Sequence, residues 1–374
     1  MRKKLLCLSM AAVMSATILP VATSGTLADS PAATNYQQTI FSTPSDENIV
    51  NLLDGNVYEF ATNYGLYKSE EYYDGTDQYA PKPVTLSWES EEGAGYYVLN
   101  LSKNADMSKP ERFVTLDTSL QLENLFMGTK YYYQVVAVFE GKTVKSRIFK
   151  FETAYLPRTI YVEGISNTRD MGGYYTADGN RIRQGMVFRG GLADDASKES
   201  LEKFIRDHGI KTDLDLRGEI SSSPFGSSVN FVNVSAPYYV MGNGILNESY
   251  KQALITEVKT FANPDNYPIY VHCSLGRDRT GTICFLINAL CGVGYMDLFL
   301  DYELSFLSVK GCLDNASPAN MVGNIFGSLY SYIKGYDEGE TLAEKTAAFM
   351  RNYLGITQEE IDSIRSIMIE EVAK

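Results

Sequence analysis

Pro268-Ile269-Tyr270-Val271-His272-Cys273-Ser274-Leu275-Gly276-Arg277-Asp278-Arg279-Thr280-Gly281 is the stretch that decides how this chain is read. Its first five residues form an apolar run that ends on His272, as in a buried strand. Cys273 follows at once, five residues separate it from Arg279, and a helical pattern runs from Arg279 to about Leu290. A loop of that length between a strand and a helix can curl so that its backbone N–H groups point inward. Those donors, together with the positive end of the helix, suit a phosphate-sized dianion. The phosphate-binding residues expected on this reading are Ser274, Leu275, Gly276, Arg277, Asp278 and Arg279. Arg279 adds a planar fork that matches two phosphate oxygens. Gly276 gives the loop backbone angles that a β-carbon would resist.

A helix N-terminus and nearby cations favour the thiolate form of a cysteine. Cys273 is therefore the expected nucleophile, attacking phosphorus in line and passing through a phosphocysteine that water later releases. Thr280 is placed to hydrogen-bond the sulfur. His272 is expected to hold the loop by hydrogen bonds rather than to exchange a proton. Rhodanese-like sulfurtransferases also use a cysteine loop, but a shorter one, so the five-residue gap favours phosphate over sulfur.

Beyond this loop, helical and strand patterns alternate from about Leu156, which implies an α/β domain with a central, mostly parallel sheet flanked by helices. A helix is expected over residues 197–210 with Leu201, Phe204 and Ile205 on one face, a strand over Lys211–Leu216, another at Phe231–Val234, and a helix from Glu248 to Phe261 capped by Asn247. Residues 311–340 are rich in Gly, Ser and Asn and read as a flexible lid. Residues 80–154 have a different character. Short alternating strands at Val84–Trp88, Tyr96–Leu101, Arg112–Leu116, Tyr131–Val138 and Lys145–Phe151, separated by turn residues, predict a small all-β sandwich ahead of the α/β domain. Residues 29–79 read as linker or partial β extension, with a strand expected at Asn56–Phe60.

Composition narrows the function classes. A formal net charge of -13 argues against nucleic acid as a partner, because binding a phosphate backbone needs clustered cations. Two histidines exclude a zinc site built on several imidazoles and make a Ser-His-Asp hydrolase a poor fit. His208, in a last helical turn before Gly209, reads as a helix-end residue. Arg2-Lys3-Lys4, the apolar stretch Leu5–Pro20 and the small-residue site Thr26-Leu27-Ala28 read as a signal peptide over residues 1–28. That implies a secreted or cell-surface protein with no integral membrane segment once the signal is removed. Cys284 and Cys291 lie seven residues apart on one helix, about 10 Å along its axis, too far to bond, and read as small core residues.

Residues 158–374 resemble the bacterial tyrosine phosphatase family that includes secreted enzymes acting on phosphotyrosine and on phosphoinositides. The resemblance rests on Asn167-Thr168-Arg169-Asp170-Met171-Gly172-Gly173, Arg189-Gly190-Gly191-Leu192, Asp215-Leu216-Arg217 with Glu219, the cysteine loop, Asp301-Tyr302-Glu303-Leu304-Ser305 and Tyr353-Leu354-Gly355-Ile356. It implies Asp278 as general acid, with Asp215 as runner-up, Asn167, Arg169 and Asp170 as supports for the pocket, and no metal or other cofactor. The loop departs from the family at Arg277, where a Lys often stands and is associated with lipid or multiply phosphorylated substrates. The substrate expected is a phosphorylated protein, with phosphoinositide or inositol phosphate as the alternative. Residues 80–154 resemble a fibronectin type III module on their strand pattern, Trp88 and the Leu125–Tyr133 run, which suggests a spacer or a surface for a cell-surface ligand. A non-enzymatic alternative is an adhesion protein that keeps the phosphatase domain as an inactive scaffold, against which the intact Cys273, Asp278 and Arg279 set argues.

Overall fold

The computed structural model describes residues 49–66, 68–76, 80–312 and 317–372. The signal-peptide reading of residues 1–28 lies outside the described residues.

Five strands build the sheet that carries Cys273: β1 (Arg169–Asp170), β2 (Val187–Gly190), β3 (Thr212–Asp215), β4 (Asn230–Asn233) and β5 (Ile269–His272). Their spatial order is β4-β3-β5-β2-β1. β5 sits at the centre, parallel to β3 on one side and to β2 on the other, with Val271 level with both Leu214 and Arg189. Only β1 runs antiparallel, against β2. All four residues of β5 are buried, which is why the strand reads as a continuous run rather than an alternating one.

The principal helices around the sheet begin with α1 (Gly55–Thr62), α2 (Lys198–His208), α3 (Glu248–Ala262), α4 (Asp278–Leu290) and α5 (Tyr295–Glu303). α2 starts where the Ser197 side chain accepts from the Ser200 amide and stops where Gly209 turns left-handed at φ 67°. His208 is half-buried against the rings of Phe188 and Phe204, and desolvation pushes its imidazole down to about 3. α3 is capped by Asn247, whose side chain accepts from Ser249. α4 is buried on every side from Thr280 to Leu290, as a helix at the centre of a core must be. Its Cys284 and the Cys291 that follows it are free thiols pushed up to about 12 by burial.

Two expectations are corrected. Asn56–Phe60 is helix, not strand. Asp54 caps α1 by accepting from Gly55, and Leu53, Val57 and Phe60 bury together against Leu300, Leu304 and Leu307. Further along, Glu303 accepts from the Ser69 amide at 3.1 Å and from the Tyr64 hydroxyl at 3.2 Å. Residues 321–334 form no loose lid. They coil as Met321–Phe326 and Gly327–Lys334 and bury Val322, Phe326, Leu329 and Ile333 in the main core. In both segments apolar spacing of three and four residues outweighs a polar composition.

The chain divides into two compact units. One comprises residues 85–120 and 131–151, the other residues 48–84, 121–130 and 152–374. In the first, the strands Tyr96–Ser102, Glu111–Thr115 and Lys130–Phe139 pair antiparallel, and Lys142–Lys145 returns on the last of these. Trp88 is buried there, edge-on to Tyr97 at 5.6 Å. In the second unit, Arg158 donates to the carbonyls of Leu125 and Asn124, and Gln184 accepts from Met127, which fixes residues 121–130 to the α/β fold. Among the described residues no helix is long and apolar enough to cross a membrane.

Phe60 is fully buried, so Phe60→Ala is expected to lower the unfolding free energy of the α/β unit by about 3–5 kcal/mol. Chemical denaturation followed by circular dichroism at the helix band checks this. An unchanged midpoint would show that α1 contributes nothing to that core.

Candidate active site

Cys273 stands at the C-terminal end of β5 and is 2 % exposed. The loop behind it has its carbonyls drawn outward one after another. Ser274 O accepts from the Leu192 amide, Leu275 O from Asn167 Nδ2 at 2.9 Å and Gly276 O from Arg189 at 2.8 Å. Successive peptide planes held this way turn their N–H groups to the other side. Among the described residues no acceptor meets the backbone N–H of Ser274, Leu275, Gly276, Asp278 or Arg279. Five unclaimed amides at a helix N-terminus form an anion cradle. Gly276 is required twice over. Its φ is +70°, and a β-carbon there would lie 2.4 Å from the backbone of Gly190.

The supports converge on one carboxylate. Asp301 on α5 receives Arg169 Nε at 2.9 Å on one oxygen and Arg189 on the other. Arg169 also donates to Asn167, to the Asp301 carbonyl and to Ser305 Oγ. Both guanidinium groups are fully buried. Burial alone would raise the Asp301 carboxyl, but Arg189 and Arg169 hold it below the usual carboxylate range. Two of the three outward carbonyls thus depend on arginines tied to Asp301, one through Asn167 and one directly.

Arg279 occupies the first turn of α4. It donates to Leu216 O at 3.2 Å and to Ser274 Oγ at 3.2 Å, which commits two of its five N–H groups and leaves the others for a ligand. The Thr280 hydroxyl is buried and meets no acceptor among the described residues, so the expected bond to the Cys273 sulfur is not formed here.

Several expected site residues have other partners. The His272 ring sets Nε2 against Asp213 at 3.0 Å and stacks on Tyr270, while its buried Nδ1 meets no partner among the described residues. It therefore anchors β5 to β3, and no side-chain bond links it to the loop. Asp215 is fully buried in a fork with Arg217, whose other side grips Asp194. Burial opposes its charge, yet the Arg217 hydrogen bonds and His272 keep its carboxyl below the ordinary range. Asp170 pairs with Arg158 at 2.6 Å and accepts from the amides of Gly172 and Gly185, so it braces the β1 corner. The Arg277 side chain is 1 % exposed. It donates Nε to Asp278 Oδ1 at 2.8 Å and a terminal nitrogen to Gly311 O at 2.6 Å, with its guanidinium 5.1 Å from the Phe306 ring centroid. The expectation that this side chain grips phosphate is corrected, because a carboxylate, a carbonyl and an aromatic face already surround it.

Asp278 keeps 24 % of its side chain exposed. Sequence reasoning missed its other partner, the hydroxyl of Tyr239, which also meets Tyr302. No spacing pattern announces Tyr239. Its one sequence signal is the absence of any Asp or Glu between Asn233 and Asn247 in the segment that leads into α3.

A cysteine at the end of a central parallel strand, with outward-clamped carbonyls and an arginine in the first turn of the helix that follows, is the arrangement of a protein-tyrosine-phosphatase-like domain. The sequence model of the tyrosine phosphatase family matches residues 160–370, more than half of the chain, and the chain belongs to that family. A Cupriavidus necator protein that bears the name of a tyrosine-protein phosphatase is 27% identical over 163 residues, 37% of this chain and 59% of the relative. A Dictyostelium discoideum protein so named is 36% identical over 57 residues, 15% of this chain and 34% of that protein. The chain thus spans about three-fifths and one-third of these relatives. Among solved structures, the core catalytic domain of the S. cerevisiae PP-IP phosphatase SIW14 aligns at 17% identity and a TM-score of 0.28, covering 44% of this chain and 90% of that one. An Fn3-like protein from Clostridium thermocellum aligns at 24% identity and a TM-score of 0.18, over 19% of this chain and 76% of that one. Superpositions this loose carry no argument.

Asp301→Asn leaves two buried guanidinium groups facing a neutral amide and is expected to cost about 3–5 kcal/mol of stability. Because the folded-state carboxyl lies below its unfolded value of about 3.9, its contribution is complete above that pH and disappears as pH falls through the lower, folded value. Acid titrations of unfolding should therefore be flatter in the variant than in the wild type. Gly276→Ala is expected to reduce kcat/KM by about 100-fold through displacement of the loop, measured with an aryl phosphate.

Proposed function

We propose that this chain is a secreted, cysteine-dependent phosphatase that hydrolyses phosphate monoesters, foremost phosphotyrosine, through a phosphocysteine intermediate. One observation carries the reading: among the described residues the backbone N–H groups of Ser274, Leu275, Gly276, Asp278 and Arg279 meet no acceptor, beside Cys273 and the Arg279 side chain. The phosphate takes those amides and the Arg279 fork. Cys273 Sγ forms a bond to phosphorus as the ester P–O bond breaks, and the proton of Asp278 passes to the departing oxygen. Water then attacks phosphorus and gives a proton back to Asp278, and the S–P bond breaks to return the thiolate and release inorganic phosphate. Asp278 is favoured as the acid over Asp215 because it reaches solvent, whereas Asp215 is closed within the Arg217 fork. No metal or other cofactor enters these steps.

The charges around the loop favour a substrate with one phosphate. Arg277 is matched by Asp278, Arg217 by Asp215 and Asp194, Arg169 and Arg189 by Asp301, and Lys310 by Asp195. Among the described residues no carboxylate lies within ion-pair distance of Arg279. A polyphosphorylated ring needs several cations that are not already neutralised, and this neighbourhood supplies one. Support for export comes from the basic and apolar N-terminal pattern of residues 1–28. The reading of residues 80–154 as a fibronectin type III-like spacer or ligand surface rests on the alternating strands around Trp88.

A panel of phosphate esters tests the proposal. A phosphotyrosyl peptide should show a higher kcat/KM than any phosphoinositide, EDTA should leave the rate unchanged, and Cys273→Ser should lower turnover by more than about 10⁴-fold. Full turnover by Cys273→Ser would overturn the mechanism. A phosphoinositide preference would overturn the substrate.

A further inference from the structure

Tyr239 lies in the segment between β4 and α3 and holds a left-handed backbone, with φ 59°. A bulky residue adopts that conformation only where its surroundings demand it, and such residues cluster at working sites. Here the surroundings are specific. The Tyr239 amide donates to Thr282 Oγ1 on α4 at 2.9 Å, and the same Thr282 hydroxyl donates to the Asp278 carbonyl at 2.9 Å. The Tyr239 carbonyl accepts from Ile245 at 2.9 Å. With the backbone pinned on both sides, the ring reaches back so that its hydroxyl meets Asp278 Oδ1 and lies 2.5 Å from the hydroxyl of Tyr302. Tyr239 is 6% exposed and Tyr302 is fully buried, so the pair approaches Asp278 from the interior. Burial, with Tyr302 and Asp278 alongside, pushes the Tyr239 phenol well above its ordinary value, and it remains a donor.

We infer that Tyr239 is a positioning residue for the proposed proton donor, fixing which oxygen of Asp278 carries the transferable proton. This rests on the reading of Asp278 as general acid. A carboxyl oxygen has two lone-pair sites. On Oδ1 both are filled, one by Tyr239 and one by Arg277 Nε at 2.8 Å. On Oδ2 the single donor among the described residues is Arg277 at 3.2 Å, a longer contact. A proton on the protonated carboxyl therefore sits on Oδ2. From there it moves to the ester oxygen as the P–O bond breaks. Tyr302 donates to Tyr239, Tyr239 donates to Oδ1, and the carboxyl cannot flip without breaking this chain. Without the Tyr239 hydroxyl, Oδ1 becomes a competing site for the proton and the side chain gains rotational freedom.

The test compares two esters that differ in their need for an acid. Phenyl phosphate releases a phenol as weakly acidic as tyrosine, and 6,8-difluoro-4-methylumbelliferyl phosphate releases an anion that needs little help. In Tyr239→Phe, kcat/KM on phenyl phosphate should fall by about 10-fold or more while kcat/KM on the activated ester changes by less than about 3-fold, the pattern of impaired general-acid catalysis in the step that expels the leaving group. Inhibition by inorganic phosphate should stay within about 2-fold, because the cradle and Arg279 are untouched. Tyr302→Phe removes the far hydroxyl and should show a smaller loss with the same leaving-group dependence. It carries the comparison should Tyr239→Phe fail to fold. Equal losses on both esters, or no loss on phenyl phosphate, would overturn the role of Tyr239 while leaving the phosphatase reading intact. Failure of the wild type to hydrolyse either ester, or hydrolysis that survives Cys273→Ser, would instead sink the reading on which it rests.

Discussion

Asp301 accepts two buried arginines, and the direction of the loop carbonyls depends on that arrangement. A lone carboxylate or guanidinium at this depth would be costly to desolvate. Two cations on one carboxylate leave a surplus positive charge, and Arg189 also donates to Gly276 O while Arg169 also donates to Asn167, whose Nδ2 donates to Leu275 O. The same contacts that satisfy buried polar groups therefore turn the loop amides toward the ligand side.

α5 distributes this control through three consecutive residues. Asp301 faces the arginines, Tyr302 meets Tyr239, and Glu303 accepts from Tyr64 and Ser69. Consecutive helical residues point about 100° apart, so one turn addresses three neighbours. One is the phosphate loop, one is the segment that touches Asp278, and one is the extension that begins at residue 48. Tyr302 is held in turn by the Phe326 ring stacked on it at 4.0 Å, within the coil that the Gly- and Asn-rich sequence disguised. The expected lid is thus part of what fixes α5.

An acidic chain can host an anion because the relevant field is local. The net charge of -13 is spread over the whole sequence, while the loop presents oriented amides and Arg279, which among the described residues has no carboxylate within ion-pair distance. Pairing the nearby cations removes broad attraction for polyanions and leaves recognition to geometry. Arg277 illustrates the point. The sequence marks it as a departure from the family's lysine but not where its side chain goes. Its destination is set by Gly311 and Phe306, far along the chain.

The strand, the five-residue gap, Gly276 and the start of α4 were legible because each is a local property. An apolar run, a spacing, a backbone angle and a helix pattern depend on neighbours in sequence. The positions of Cys273 and Arg279, at the end of β5 and in the first turn of α4, followed from those. The contacts of His272 and Arg277 did not, because a charged or polar side chain takes whichever partner the fold brings beside it, and Asp213, Gly311 and Phe306 are brought there by topology. The helix at residues 55–62 was missed for a similar reason, since its apolar face acquires meaning only against Leu300, Leu304 and Leu307. The sequence alone thus determined that a cysteine and an arginine stand at the two ends of one strand-to-helix loop. Only the tertiary structure decided which carbonyls turn away from it, which cations remain for it, and that Tyr239 stands beside Asp278, because those depend on contacts between residues tens to more than a hundred positions apart.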